Sequence, residues 1–290
     1  MRVLALGAAV LAVILCMNPQ EPSQAMGLLS DDFEAPHISK IWSRSHLIAD
    51  ETLLETKIVR SGKQALELKI GKPDFKQSCQ CQRNELREAD SVQLDFGTDV
   101  WYTFSLKIDK GGQIPQKRWM IASLKQDGDG SPFLALRYDR GVFYITVESS
   151  GVRVLLASSL LDARMIFDLL QIKTDGGLDK YGFISDQKLY QGKTALKLDY
   201  GLSPYLPDPG FDWVDFLIRV KGDLGGHGVV EIYTNGNLIV RAVGSIGVAN
   251  PRGSKQYLRI GHNRDQMPID STLYVDHFRR GDSKEAVNQN

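Results

Sequence analysis

The sequence has little cysteine, no surplus of either charge and no linker-like tract, and each lack narrows what the chain can be. Three cysteines in 290 residues are too few for a disulfide-built scaffold, so the fold rests on a hydrophobic core. Lysine plus arginine equals aspartate plus glutamate, 35 of each, so no global field draws the chain to nucleic acid or to a membrane surface. Recognition of a charged ligand must come from locally segregated charge. No internal repeat, low-complexity tract or Pro/Gly/Ser-rich linker divides residues 26–290, which read as a single domain and, in solution, a monomer. No Cys/His set stands at metal-ligand spacing. The one oxygen-rich stretch, Asp127-Gly128-Asp129-Gly130, suggests calcium at most; it is short for a calcium loop and reads as a turn, so no cofactor is expected.

What is present begins with an address. Met1-Arg2 precedes a nearly unbroken apolar run over 3–17, and Ser23-Gln24-Ala25 supplies small residues at a cleavage spacing. The run is short of the ~20 residues a membrane span needs, and bulky Leu15 before Cys16 argues against a lipoprotein. Residues 1–25 are therefore expected to be a signal peptide, and the mature chain to be secreted or periplasmic without a membrane span. Cys79 and Cys81 then remain. Their spacing puts both on one face of an extended strand, so a bridge between them demands a local kink.

Period-two alternation dominates the rest, in short runs at 53–59, 64–70, 101–108, 119–125, 133–138, 142–147, 216–220, 229–233, 238–242, 257–261 and 273–278. Asn235-Gly236 between two such runs is a two-residue hairpin signal, since it supplies the positive φ angles that turn needs. Helical periodicity shows only around 159–170; 174–210 reads as a long irregular loop or lid, and 282–290 as a frayed tail. About a dozen strands with hardly any helix predict an all-β, jelly-roll sandwich of two antiparallel sheets.

One segment concentrates charge for a purpose. In Arg83-Asn84-Glu85-Leu86-Arg87, an extended backbone puts Arg83, Glu85 and Arg87 on one face and Leu86 on the other. Two guanidinium forks held by a carboxylate suit a carboxylate-bearing ligand; a solvated cross-strand charge ladder would look the same. The alternation repeats elsewhere. Met120, Ala122 and Leu124 oppose Trp119, Ser123 and Lys125; Leu134, Leu136 and Tyr138 oppose Arg137; Leu258, Ile260 and His262 oppose Tyr257, Arg259 and Asn263. Neighbouring strands of this kind would make a basic, aromatic-dotted cleft.

The Arg83–Arg87 motif resembles the Arg-x-Glu-Leu-Arg signature of jelly-roll polysaccharide lyases, the alginate-lyase and heparin-lyase-I-like group. Trp101-Tyr102-Thr103-Phe104-Ser105-Leu106, Phe211-Asp212-Trp213-Val214-Asp215-Phe216, Tyr257-Leu258-Arg259-Ile260-Gly261-His262-Asn263-Arg264 and Tyr274-Val275-Asp276-His277-Phe278-Arg279 are similar to that group's later strands, in order. The resemblance implies a concanavalin-like fold and β-elimination on a uronic-acid-containing acidic polysaccharide. It also exposes departures: the group's Gln-x-His falls at Ser123-Leu124-Lys125, and its proton-transferring tyrosine at Asn263.

Such a lyase must neutralise the sugar carboxylate, remove the C5 proton and release O4. Arg83 is the expected neutraliser, with Asn263 or Gln126 assisting. Lys125 is the first candidate base, on the expectation that burial beside Arg83 lowers its pKa, and Tyr257 the second. Glu85, Arg87, Arg137, Arg259 and Arg264 complete the expected substrate contacts. Among the histidines, parity places His262 on the core side and leaves His46 within reach of a cleft, while His37, His227 and His277 lack partners. Two other readings compete: a non-catalytic carbohydrate-binding relative, favoured by the departures, and a glycoside hydrolase, disfavoured because no paired-carboxylate strand occurs.

Overall fold

The computed structural model describes residues 26–112, 117–128, 130–139, 141–159, 196–202, 205–248 and 253–288. Residues 1–25, the 159–170 helix beyond Ser159, most of the 174–210 loop and Asp129 of the suggested calcium turn lie outside these.

Two antiparallel sheets face each other, as the jelly-roll expectation holds. The back sheet runs, in spatial order, β13 (Lys197–Tyr200), β16 (Asn237–Ile246), β15 (Asp223–Thr234), β14 (Val214–Lys221), β8 (Val100–Asp109), β18 (Ser271–Gly281), β4 (Ala65–Ile70) and β3 (Thr52–Glu55), with β1 (Leu29–Asp31) also on β18. The front sheet runs β12 (Val152–Ser158), β11 (Val142–Ser149), β10 (Leu134–Asp139), β9 (Trp119–Gln126), β17 (Lys255–Arg264), β6 (Cys81–Glu88) and β2 (Trp42–Ser43); β5 (Phe75–Lys76) pairs β6 and β7 (Leu94–Asp95) pairs β17.

Alternation explains the core between the sheets. Tyr102, Phe104, Leu106 and Ile108 of β8 point in, and so do Leu258 and Ile260 of β17. Rings meet across the gap, Trp42 on Phe278 at 4.6 Å and Phe143 on Phe216 at 6.1 Å. The Asn235-Gly236 turn joins β15 to β16 with φ of 49° and 81°, the positive pair that this dipeptide allows.

Several local features go beyond plain alternation. Ile121 is unpaired in the ladders of β9 to both β10 and β17. Parity therefore flips at that point: Trp119 joins the core, whereas Met120 turns outward opposite Asn263. Cys79 and Cys81 are bridged, and Gln80 between them takes φ +50°, the kink their spacing requires. The tail is docked, not frayed: Ser283 caps a short helix, α1 (Lys284–Val287), and Val287 is fully buried. Among the described residues no helix is long and apolar enough to cross a membrane.

Candidate active site

β6 is the strand that bears the Arg/Glu row, and its inner face is polar but for Leu86. Gln82, Asn84 and Glu88 are fully buried, and each is satisfied by hydrogen bonds. Asn84 accepts from Ile48 N and donates to Lys69 O; Gln82 accepts from Arg264 Nε and donates to Gly71 O. Glu88 receives Arg280 of the back sheet at 2.6 Å and Leu258 N at 2.8 Å. Burial raises the Glu88 pKa and Arg280 opposes the rise. The strand is thus fixed from beneath, which aims its outer side chains.

Those side chains form a cluster centred on Glu85. This nearly buried carboxylate lies with one oxygen 3.2 Å from an Arg259 terminal nitrogen, 3.3 Å from His46 Nδ1 and 3.5 Å from Arg83 Nε. His46 arrives here because the chain after β2 stays beside β6: Trp42 pairs Glu88, Ser43 pairs Arg87, and His46 O accepts from Glu85 N. One residue more is used on the β2 side than on β6, so His46 faces outward although Trp42 faces the core. Gly261 pairs Glu85, and there only glycine fits: a Cβ would lie 2.5 Å from Glu85 Cα.

Two outward rows cross the front sheet. One reads Arg83, Asn263, Met120, Arg137, Tyr144; the other reads Arg87, Arg259, Ser123, Ala135, Thr146. Arg83 and Arg137 are three strand spacings apart, roughly 14 Å at ~4.8 Å each. Arg137 is almost wholly buried and donates to Thr146 Oγ1 at 3.2 Å; burial, then repulsion from Arg153, pulls its pKa down to about 10, so it stays charged at neutral pH. At the far end of β17, Arg87 lies 4.5 Å over the Tyr257 ring and Arg259 donates to the Tyr257 hydroxyl at 3.1 Å.

The structure therefore gathers Arg83, Glu85, Arg259 and Asn263, with Arg87 and Tyr257 beside them and Arg137 in the same row. It separates others. Lys125 pairs Tyr257, which stands six residues along β17 from Asn263, the partner of Arg83. That is roughly 20 Å at ~3.3 Å per residue, too far for Arg83 to disfavour the Lys125 charge. Its ammonium donates instead to Gly128 O at 2.7 Å. Gln126 faces inward, nearly buried, and accepts from Val248 N, so it cannot assist Arg83. Arg264 is fully buried on the core side, bonded to Gln82, Ser271 and Ile269 O, so its expected substrate contact gives way to a structural one. His262 is on the core side as parity implied, stacked on Trp119 at 5.3 Å. Among the described residues, no group of three or more acidic, His or Cys residues gathers at metal-holding distance. Sequence reasoning undervalued His46, whose loop has no periodicity, and missed that Met120 floors the Arg83 row.

Solved structures share this architecture. The endo-β-1,4-glucuronan lyase of the fungus Trichoderma reesei matches with a TM-score of 0.57 at 11% identity, over 92% of this chain and 100% of that one. The alginate lyase Aly36B matches at 0.51 and 10% identity over 89% and 98%. The cellulose-induced protein Cip1 matches at 0.50 and 15% over 88% and 97%. At such identities the likeness is one of fold. No curated protein sequence matches the chain. The family model described as polysaccharide lyase matches residues 33–279, nearly the whole of the sandwich, and on that span the chain belongs to the polysaccharide lyase family.

Proposed function

We propose that this lyase cleaves a uronic-acid-containing polysaccharide by β-elimination on the outward face of the front sheet. The observation that carries the reading is the cluster around Glu85, where one buried carboxylate is shared by Arg83, Arg259 and His46 while Asn263, Arg87 and Arg137 stand on the same face. Asp90 balances Arg87 at 2.8 Å, but Glu85 alone stands among Arg83, Arg259 and His46, so the face around it holds positive charge in a chain whose net charge is zero. The glucuronan and alginate lyases that share the fold act on acidic polymers of the kind such a face attracts. The order of the strand motifs supports a heparin-lyase-I-like or alginate-lyase-like relative within the family.

Elimination needs the sugar carboxylate to accept electron density as the C5 proton leaves. Arg83 and Asn263, paired across β6 and β17, supply a guanidinium and an amide for it. Arg87, Arg259 and Arg137 bind further carboxylates along the polymer. The reading also places the protein outside the cytoplasm after loss of residues 1–25, and the Cys79–Cys81 bridge supports an oxidising compartment. A binding-only relative is the second reading; the replacement of a proton-transferring tyrosine by Asn263 favours it. The test is absorbance in the ultraviolet band of an unsaturated uronate, on a panel of acidic polysaccharides. A rise that is lost in Arg83→Ala supports the lyase. Binding without any rise establishes the second reading.

A further inference from the structure

The elimination just proposed, on which the following rests, needs a side chain that accepts a proton from carbon near neutral pH and sits beside the carboxylate-binding pair. Of the five histidines, His46 is the one on this face: His262 is in the core, His227 and His277 belong to back-sheet strands, and His37 lies on an exposed turn. The His46 side chain is 23% exposed, and its Nδ1 lies 3.3 Å from a Glu85 oxygen. Among the described residues Nδ1 is buried and makes no formed hydrogen bond, and the Glu85 oxygen is the acceptor nearest to it; a carboxylate only accepts, so a proton on Nδ1 that turns to Glu85 leaves Nε2 as the basic nitrogen. Arg83 and Arg259 hold the same carboxylate, which fixes its position next to the group that binds the sugar. The alternatives are worse placed. The Tyr257 hydroxyl is nearly buried and engaged by Arg259, and Lys125 stands at the other end of β17.

We propose that His46, held by Glu85, takes the C5 proton and returns it to O4, and that turnover is therefore confined to uronates whose C5–H and C4–O4 bonds lie on one face of the ring. In the step, the C5–H bond breaks to Nε2, its electron pair forms the C4=C5 double bond, and the C4–O4 bond breaks with its pair going to O4. The imidazolium, stabilised by Glu85, then protonates O4, and the neutral ring is restored. Asn263 opposite Arg83 has no proton to exchange in this pH range, so among the described residues one imidazole serves both transfers. Bonds on one ring face occur in D-glucuronate and D-mannuronate; in L-guluronate and L-iduronate the two bonds lie on opposite faces.

The experiment follows the ultraviolet absorbance of full-length mature protein, wild type, His46→Gln, His46→Ala and Glu85→Gln, on glucuronan, polymannuronate and polyguluronate. His46→Gln is expected to lower kcat at least about 100-fold with KM within a few-fold and an unchanged unfolding temperature. Added imidazole is expected to restore turnover in His46→Ala. Glu85→Gln, changing a positioning residue, is expected to shift the acidic limb of the pH profile. Wild-type turnover that persists within tenfold in His46→Gln, a loss that imidazole does not rescue, or a preference for polyguluronate overturns this proposal and leaves the lyase reading standing. No product from the wild type on any acidic polymer overturns both.

Discussion

The outward faces of the two sheets differ in how their cations are balanced. On the back sheet cations are matched by carboxylates: Arg219 reaches Asp99 at 2.7 Å and shares Glu231 with Arg241, Arg60 reaches Asp215 at 2.7 Å, and Lys69 reaches Glu67 at 2.8 Å. The pairing with Asp99 lifts the Arg219 pKa, and the pairing with Arg60 lowers that of Asp215. On the front sheet Arg87 has Asp90, but Arg83, Arg259 and His46 share Glu85, and among the described residues Arg137 donates to a threonine hydroxyl rather than a carboxylate. A neutral chain thus becomes locally basic by arrangement rather than by composition. Ion-pair ladders stabilise and solubilise; a cation excess around one anion waits for another.

The strongest way to break this comparison is to remove one arginine from each face. Arg83→Ala is expected to lower kcat/KM about 10²- to 10³-fold, as loss of a charge-stabilising donor does, and Arg60→Ala to leave turnover within about twofold. Equal losses would mean the two faces do not differ in function. Beneath the faces, Arg280→Met leaves Glu88 buried without its cation, and denaturant unfolding should show a loss of about 3 kcal/mol. A loss below about 1 kcal/mol would mean β6 is not fixed from that side.

A smaller effect concerns pH. His262 Nε2 donates to Leu68 O at 2.9 Å, and among the described residues its Nδ1 has no partner in which a second proton could end. Burial, helped by Arg264 and opposed by that bond, pulls its pKa from 6.5 to about 3. Below pH 6.5 the unfolded chain takes up a proton that the folded chain refuses. The contribution is intact above pH 6.5 and declines by ~1.4 kcal/mol per unit as pH falls towards 3. His262→Gln should flatten the stability curve between about pH 6 and 4; an unchanged slope would show that the ring protonates in place. Least of all, Arg219→Ala on the back face should cost about 1 kcal/mol or less, since Asp99 is exposed and Arg241 remains on the buried Glu231.

Much of the sandwich was legible because its strands alternate cleanly and Asn235-Gly236 permits one turn type. The outward trio of Arg83, Glu85 and Arg87 followed from the same alternation. Parity also held the answer for two residues that the family likeness pulled the wrong way: Arg264 shares the phase of Leu258, Ile260 and His262, and Gln126 that of Leu124, and both lie inside. What alternation cannot give is register. The distance between Lys125 and Arg83 is set by how β9 and β6 slide against β17, and the unpaired Ile121 that turns Met120 outward leaves no local mark. His46 was obscure for a related reason, because its position depends on a mismatch of one residue between the β2 segment and β6.

β6 divides its labour by residue parity: Gln82, Asn84 and Glu88 secure it, while Arg83 and Arg87 meet the solvent side. Such a strand is suited to retargeting. A library varied at positions 83 and 87, together with their cross-strand neighbours 259 and 263, would sample new polymer preferences without touching the side chains that hold the strand in place.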